Sequence, residues 1–298
     1  MMPAISKRTF RVRSYETDLY GHVNQVNYLR YMQEAALDAS AEVGYDGAAY
    51  DALGTLWLIH ETEVEYFRAL KFGDSVEVTT WVGDFRRVRS RRFYDMHLVG
   101  SGELAAKGSS DWIYLNRATQ RPLAIPPEMV IAFAPEGADA LPPGERREKL
   151  VEPPPAPPGA FTMRRVVEWR DVDSVGHVNN AVYLSYMEES AIEQSASINW
   201  PMQRMRDEGF GVVARKHQIE YRLQAELGDP LLVTTYLSEP RRSSIIRNFI
   251  ITRPDGGIVA RSRSLYLCVS LSTGMPIRIP QQVMEDFAAV IAEANGGE

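Results

Sequence analysis

The feature that most constrains the fold is an internal duplication. The segment TDLYGHVNQVNYLRYMQEAA at 17–36 returns as VDSVGHVNNAVYLSYMEESA at 172–191, and 11 of the 19 positions from 18 to 36 are identical to those 155 residues later. The same offset persists downstream, where VEYFRALKFGD at 64–74 aligns with IEYRLQAELGD at 219–229. A period this long in a chain of 298 residues predicts two copies of one domain of ordinary size.

A proline-rich segment separates the two copies. It contains the run EPPPAPP, which favours extended polyproline II geometry and hence a semi-rigid spacer. We therefore predict an N-terminal domain at 1–134, a linker at 135–160 and a C-terminal domain at 161–298.

Each copy predicts the same order of elements: a short strand, a Gly-His loop, one long helix and then a series of strands. Apolar residues recur along the helices at spacings of three and four, and later runs such as SVEVTTWVGDF alternate as strands do. This order indicates an α+β fold in which an antiparallel sheet curls around a buried helix. The expected buried stripes are Val26, Leu29, Met32, Ala35, Ala36 and Ala39, widened by Tyr28 and Tyr31, and in the second copy Leu184, Met187, Ala191 and Ile192.

Composition narrows the range of functions. A net charge of −6 and a pI near 5.5 argue against nucleic-acid binding, which needs a concentrated positive surface. No apolar run is long enough to span a membrane, and the N-terminus lacks a signal-like apolar region. The single cysteine, Cys268, lies in an apolar strand-like run and is expected to be buried and inert, which suits a cytoplasmic location. We expect no metal and no cofactor, since neither copy has a His-x-x-x-His pattern or a phosphate-binding glycine loop.

The pattern D-x-x-G-H-V-N followed by Y-L-x-Y-M-x-E resembles the hotdog-fold thioesterases. The likeness is to the 4-hydroxybenzoyl-CoA thioesterase-like branch and to acyl-ACP thioesterases, which carry two hotdogs in one chain, and it covers nearly everything outside the linker and the two ends. The resemblance implies two tandem hotdog domains, each an antiparallel sheet wrapped around a long central helix. It also implies that the two pair as an intrachain pseudo-dimer, with active sites at the pairing interface.

The resemblance also assigns the residues of the Gly-His junction in each copy. Gln25 stands where the second copy has Asn180, which is the one departure from the family pattern. The acid of the motif falls on Asp18 and Asp173, the loop glycine on Gly21 and Gly176, the histidine on His22 and His177, and the asparagines on Asn24, Asn179 and Asn180.

Thioester hydrolysis requires a nucleophile at the carbonyl carbon and a group that stabilises the oxyanion. The free amides of a helix N-terminus can polarise the carbonyl, and each aspartate can act either as general base or as nucleophile. Both routes stay open from sequence. An acid or asparagine before a helix is often only a cap, and a lone histidine is often structural, but their repetition favours function. The predicted catalytic residues are Asp18, His22, Asn24, Asp173, His177 and Asn179.

Charged residues elsewhere recur as well. The clusters RRVRSRR at 86–92 and RRSSIIR at 241–247 suit coenzyme A phosphates or an acidic carrier protein, or else an exposed strand edge charged against aggregation. Glu34 and Glu189 recur on the helix and are expected to find structural partners, with a direct catalytic part as the weaker alternative. The helix tyrosines are expected to be core or pocket wall. The predicted substrate-binding residues are Gly21, Gly176, Asn180, Arg86, Arg87, Arg241 and Arg242.

The leading functional hypothesis is an acyl-CoA thioesterase that releases free acid and thiol. The alternative within the same chemistry is an acyl-ACP thioesterase. From other classes come a non-catalytic acyl-thioester-binding protein and a dehydratase or hydratase acting on 3-hydroxyacyl thioesters. The expected partner is a small acyl thioester, with acyl carrier protein as the alternative carrier and further homo-oligomerisation left open.

Overall fold

The computed structural model describes residues 4–137 and 150–293. The chain divides into two compact units, Met1–Glu148 and Lys149–Glu298. Residues 138–149 of the predicted linker lie outside the described residues. The part of that linker at 150–160 packs on the second unit: Leu150 is buried, and the Tyr236 hydroxyl donates to the Pro154 carbonyl at 2.6 Å.

The described part of the first unit contains three α-helices and five strands. A turn of 3-10 helix, Ser14–Glu16, precedes the first α-helix. The helices are α1 Gln25–Glu42, α2 Gly47–Leu53 and α3 Pro127–Phe133, and the strands are β1 Ser6–Arg11, β2 Thr55–Tyr66, β3 Ser75–Phe85, β4 Arg89–Leu98 and β5 Leu104–Asn116.

The described part of the second unit repeats this order. Its 3-10 turns are Trp169–Asp171 and, near the end, Ala288–Val290. The helices are α4 Asn180–Ser197, α5 Met202–Asp207 and α6 Gln281–Asp286, and the strands are β6 Phe161–Val166, β7 Phe210–Tyr221, β8 Pro230–Ser238, β9 Ser244–Thr252 and β10 Ile258–Ser270.

Each unit builds one antiparallel sheet. The strand order is β1-β3-β4-β5-β2 in the first unit and β6-β8-β9-β10-β7 in the second. The arginine cluster at 86–92 runs from the β3–β4 turn into β4, which has a strand on both sides. The alternative that this cluster marks an exposed sheet edge is therefore wrong.

The long helix of each unit buries the face that lies against its sheet. In α1 all of the predicted stripe is buried, including both tyrosines, which confirms the helical pattern. In α4 the prediction fails at Ile192, which is 42% exposed, while Gln194 is buried. Gln194 is accommodated because its amide nitrogen donates to the Thr235 carbonyl at 3.1 Å.

The structure also bears on the predictions for Cys268 and for membrane-spanning segments. Cys268 is a free, buried thiol, and burial raises its pKa to about 11, so it stays in the unreactive protonated form. Among residues 4–137 and 150–293, no helix combines the length and the apolar character needed to cross a membrane.

Candidate active site

The predicted catalytic aspartates close a tight turn just before each long helix. In the first unit the Asp18 carbonyl accepts from the Gly21 amide at 3.0 Å, and the Asp18 amide donates to the His22 carbonyl at 2.8 Å. The carboxylate oxygen Oδ1 of Asp18 accepts from the Tyr20 amide at 2.8 Å and from the His22 amide at 3.2 Å. Asp18 is therefore not the helix cap; it fixes the turn, and its second oxygen, Oδ2, lies outside these bonds.

The second unit repeats the turn around Asp173. Its amide donates to the His177 carbonyl at 3.0 Å, and its carbonyl accepts from the Gly176 amide at 3.0 Å. The Asp173 Oδ1 atom accepts from the Val175 amide at 2.9 Å. Both aspartates are half-buried, so each presents a carboxylate of fixed orientation that solvent reaches.

The loop glycines are required by the backbone. Gly21 has φ of +74° and Gly176 of +95°, a region that side chains with a Cβ atom rarely adopt. A Cβ atom at either position would meet nothing within 4 Å. Both glycines are exposed. The positive φ of the turn, and not close packing, is therefore what requires glycine at these two positions. Their substrate-binding role stays a prediction.

The asparagines cap the helices, as expected. The Oδ1 atom of Asn24 accepts from the Val26 amide at 2.9 Å, and that of Asn179 accepts from the Ala181 amide at 3.0 Å. Capping uses the side-chain oxygen of each asparagine, so a hydrogen bond donated from this side chain to a substrate would have to come from its amide nitrogen. Asn180 is the first residue of α4, and its carbonyl accepts from the Tyr221 hydroxyl at 3.2 Å.

The two histidines are half-buried and follow their aspartates within the same turn. The backbone of His22 forms a bridge with Lys71, which places the β2–β3 turn beside the junction. In the second unit the ring atom Nδ1 of His177 is buried and has no hydrogen-bond partner among the described residues. A buried polar atom without a partner is destabilising by about 1–3 kcal/mol, and such atoms are often retained for function.

One buried acid beside each junction was not predicted from the sequence. Glu16 is 5% exposed and accepts from the Tyr31 hydroxyl at 2.7 Å, and Asp171 is 6% exposed and accepts from the Tyr186 hydroxyl at 2.6 Å. Burial, followed by the bonded carboxylate, raises the pKa of both tyrosines far above the usual range. The sequence does contain a sign of this pairing: an acid and a tyrosine, Glu16 and Tyr31, recur 155 residues later as Asp171 and Tyr186.

These acids also anchor the helix caps through their backbones. The Asn24 amide donates to the Glu16 carbonyl at 2.8 Å, and the Asn179 amide donates to the Asp171 carbonyl at 2.9 Å. The position of each helix N-terminus is therefore set by a buried acid on the preceding 3-10 turn. The sequence predicts core or pocket wall for Tyr31 and Tyr186, and their hydroxyl bonds to these acids add a positioning role.

The remaining helix tyrosines position the other side of the junction. The Tyr28 hydroxyl accepts from the Leu70 amide and the Tyr183 hydroxyl accepts from the Ala225 amide, both at 3.2 Å. Burial raises the pKa of Tyr28 to about 12, so its hydroxyl stays protonated at neutral pH. Both tyrosines therefore link the long helix to the connection that follows β2 or β7.

The predicted arginines lie away from the junction of their own unit. Arg86 and Arg87 are exposed at the β3–β4 turn, while the other end of β3 begins beside the junction, where the Val12 amide donates to the Asp74 carbonyl. At about 3.3 Å per residue, β3 separates them by roughly 30 Å. Arg241 and Arg242 are exposed at the equivalent β8–β9 turn. Their substrate-binding role stays a prediction.

The helix glutamates have the partners that were expected, on an exposed surface. Glu34 lies 3.4 Å from Arg8, and Glu189 lies 3.3 Å from Arg165, with side chains 53% and 48% exposed. These are surface ion pairs between the long helix and the first strand of each unit. The expected partners are therefore present, and both acids lie on the exposed side of a largely buried helix.

Two helix-wrapping antiparallel sheets with twin Asp-Gly-His-Asn junctions define a tandem hotdog protein. Residues 3–133 match the acyl-ACP thioesterase N-terminal domain, and residues 167–287 match the thioesterase-like superfamily. The chain belongs to this superfamily of hotdog thioesterases.

Individual relatives agree with that placement. The chain is 27% identical over 197 residues to a chloroplastic acyl-[acyl-carrier-protein] hydrolase of Cuphea viscosissima, covering 62% of this chain and 47% of that protein. It is 28% identical over 202 residues to the chloroplastic dodecanoyl-[acyl-carrier-protein] hydrolase of Cinnamomum camphora, covering 62% and 50%. The chain thus spans about half the length of the curated relatives it matches.

Solved structures share the fold across most of the chain. The 12:0-ACP thioesterase from Umbellularia californica superposes with a TM-score of 0.71 at 22% identity, covering 89% of this chain and 94% of that one. An acyl-ACP thioesterase from Bacteroides thetaiotaomicron gives a TM-score of 0.68 at 15% identity, covering 88% and 98%.

Proposed function

We propose that this protein hydrolyses acyl thioesters carried by acyl carrier protein. The observation that carries the proposal is the match of residues 3–133 to the acyl-ACP thioesterase N-terminal domain, joined to the twin Asp-Gly-His-Asn junctions. The relatives named above are acyl-carrier-protein hydrolases, which supports the carrier-bound substrate over the coenzyme A thioester expected first.

In the proposed reaction the helix N-terminus of α4 polarises the thioester carbonyl through its amides. Water, activated by the Asp173 carboxylate, adds to the carbonyl carbon and forms an oxyanion. The carbon–sulfur bond then breaks, the thiolate leaves and takes a proton, and the free acid remains. In the alternative route, Asp173 attacks the carbonyl itself and water cleaves the resulting anhydride.

The turn geometry supports this assignment for the aspartate. Because the Val175 amide holds Oδ1 at 2.9 Å, the carboxylate is oriented before substrate binds, and we assign the chemistry to Oδ2. We assign the unpartnered Nδ1 of His177 to the substrate or to the attacking water. The second junction is therefore our candidate for the main active site.

The test compares Asp173→Asn with the matched variant Asp18→Asn. Asparagine keeps the oxygen that closes each turn but removes the charge, so both variants should fold. We expect Asp173→Asn to lower kcat by roughly 10²–10⁴-fold on acyl-ACP, and Asp18→Asn to lower it far less. Turnover of the same acyl group on coenzyme A should be slower in the wild type.

Three outcomes would contradict parts of this proposal. Full activity in Asp173→Asn would show that the Asp173 carboxylate has no catalytic role. Faster turnover on coenzyme A would restore the first hypothesis. Tight acyl-ACP binding without any release of free acid would identify a binding protein instead.

A further inference from the structure

The second junction is a hairpin-like loop whose two sides, 171–173 and 177–179, pair with each other and lead directly into α4. We call these two sides the stem. The Asn179 amide donates to the Asp171 carbonyl at 2.9 Å, and the Asp173 amide donates to the His177 carbonyl at 3.0 Å. The residues between these bonds form an antiparallel bridge. One side of the stem therefore carries the Asp173 carboxylate, and the other side becomes the N-terminus of α4.

A buried side-chain hydrogen bond ties this stem to the body of the helix. Asp171 is 6% exposed, and its Oδ2 atom accepts from the Tyr186 hydroxyl at 2.6 Å and from the Glu168 amide at 2.9 Å. Tyr186 lies about two turns along α4 from the cap Asn179, and helix side chains lean toward the N-terminus. Asp171 therefore meets α4 twice, through its carbonyl at the cap and through its carboxylate two turns further on.

Neighbouring groups fix the ring that carries this hydroxyl. The Arg165 guanidinium carbon lies 5.0 Å from the centre of the Tyr186 ring, and Arg165 pairs with Glu189 of the same helix at 3.3 Å. The Tyr183 ring meets the Tyr186 ring edge-on, with 6.3 Å between their centres. The donor is therefore held in place by α4 and β6, so the position of Asp171 follows from that of the helix.

A polar pair at this position has a geometric purpose. Burying a carboxylate destabilises a fold unless its hydrogen bonds are made, and an apolar pair of similar size would avoid that penalty. The polar pair nevertheless occurs in both units, as Glu16–Tyr31 at 2.7 Å and as Asp171–Tyr186 at 2.6 Å. A hydrogen bond is specific in distance and in angle, which apolar packing is not. The pair thus sets where the stem lies relative to the helix.

The two units differ in how many bonds support this pair. Glu16 also accepts from the Arg13 guanidinium at 3.2 Å, and its carbonyl accepts from the Asn27 side-chain nitrogen at 3.0 Å. The aligned positions of the second unit carry a glutamate and a valine, which cannot donate these bonds. Among the described residues, Tyr186 is the one side chain that donates a hydrogen bond to Asp171. The second junction therefore depends more strongly on a single hydroxyl.

We propose that Asp171 and Tyr186 are positioning residues of the second junction. They act through the Asp173 carboxylate and the amides of α4, because their hydrogen bond sets the distance between these two groups. In the proposed function, on which this inference rests, both groups act on one thioester carbonyl in the same step. A misplacement of about 1 Å between reacting groups lowers a rate on the order of a hundredfold.

The first experiment measures kcat and KM of Tyr186→Phe on acyl-ACP, well below the unfolding temperature. The carboxylate and the amides are needed more in the transition state than in the bound ground state. We therefore expect kcat to fall roughly tenfold to a hundredfold, with KM changed by less than about twofold. A tyrosine that served only the stability of the fold would lower Tm and leave the kcat of the folded protein unchanged.

Substitution of the acid provides a conservative rescue. Asp171→Glu introduces the residue that the first unit carries at the aligned position, where it bonds its tyrosine at 2.7 Å. Its kcat should stay near that of the wild type, whereas Asp171→Ala should lose as much as Tyr186→Phe. If Asp171→Ala does not fold, the comparison of Asp171→Glu with Tyr186→Phe decides the question. An equal loss of kcat in those two variants would overturn the role assigned to the hydrogen bond.

Two other tyrosines are matched controls. The Tyr236 hydroxyl donates to the Pro154 carbonyl, also at 2.6 Å, but Tyr236 lies roughly 20 Å along β8 from the end that borders the junction. Tyr236→Phe should lower Tm and leave kcat unchanged. Tyr31→Phe breaks the equivalent bond of the first unit and should lower kcat far less than Tyr186→Phe. The reverse order would assign the chemistry to the first junction and overturn this inference.

The second experiment needs no substrate. Hydrogen exchange of the backbone amides at 177–181 should be roughly tenfold faster in Tyr186→Phe than in the wild type, because the stem separates from the helix more readily. The same amides in Tyr236→Phe should exchange as in the wild type. Unchanged exchange in Tyr186→Phe would show that the tyrosine does not hold the stem, and would overturn the inference.

Together the two experiments separate this inference from the proposed function. If Asp173→Asn abolishes hydrolysis while Tyr186→Phe keeps the full kcat, the proposed function stands and this inference fails. If exchange at 177–181 rises in Tyr186→Phe but the wild type hydrolyses no acyl thioester, the pair does position the junction and the proposed function fails.

Discussion

The buried histidine His217 predicts a measurable loss of stability in mild acid. It lies on β7, is fully buried, and its Nδ1 atom is bonded to the Ser264 hydroxyl at 2.7 Å. Burial lowers its pKa from 6.5 to about 3, so the imidazole is neutral in the folded chain at pH 5. The unfolded chain binds a proton there as pH falls through 6.5, while the folded chain does not. Acid therefore favours unfolding.

The size of the effect follows from the two pKa values. Proton linkage between 6.5 unfolded and about 3 folded gives about 2 kcal/mol of lost stability between pH 7 and pH 5. The contribution is present above pH 6.5 and is lost progressively down to about pH 3. For a unit of this size, 2 kcal/mol corresponds to roughly 4–8 °C in Tm.

The assay is thermal unfolding of the wild type and of His217→Asn at pH 7 and pH 5. Carboxylates titrate in both proteins, so the difference in Tm shift between them isolates the histidine. We expect the wild type to lose about 4–8 °C more than the variant on acidification. Equal shifts in the two proteins would refute the argument that burial holds His217 neutral.

Three further substitutions test the contacts that hold the junctions in place, each through the free energy of unfolding measured in urea. Tyr186→Phe should cost about 1.5–3 kcal/mol, because the buried Asp171 carboxylate loses a hydrogen bond; an unchanged midpoint would contradict this. Gly176→Ala should cost about 1–2 kcal/mol at φ +95°, and a neutral result would mean that the turn relaxes. Asn24→Ala should cost about 1 kcal/mol through the lost cap, whereas a stabilised variant would rule out that role.

Local patterns predicted the elements well where periodicity was strong. The run at 75–85 is β3 with the predicted bounds, and the six-residue apolar stripe of α1 is buried as expected. The short helices α2, α3, α5 and α6 were not predicted, because one or two turns carry too few residues to show a period. Ile192 was predicted to be buried only because it is apolar, but it lies on the exposed side of α4.

At the junctions, sequence reasoning found the turn and the cap but not what anchors them. Asp18, His22 and Asn24 lie within seven residues, so one loop brings them together. The Glu16–Tyr31 bond joins positions 15 residues apart on different elements, and no local pattern reports such a bond. Similarly, the cluster at 86–92 reads as a solvated run, although pleating turns Arg92 inward while Arg86 stays exposed.

The residue pattern was enough to show two copies of one α+β domain with an Asp-Gly-His-Asn junction in each, and the family resemblance carried by that junction implied the hotdog fold. The elements could be predicted because helix periodicity and strand alternation are properties of neighbouring residues. Which buried polar groups have partners depends on the tertiary fold: Arg247 donates to Gln194, whereas Arg92 at the aligned position has no such glutamine opposite it. The physical reason is that hydrogen-bond satisfaction depends on atoms brought together from distant parts of the chain.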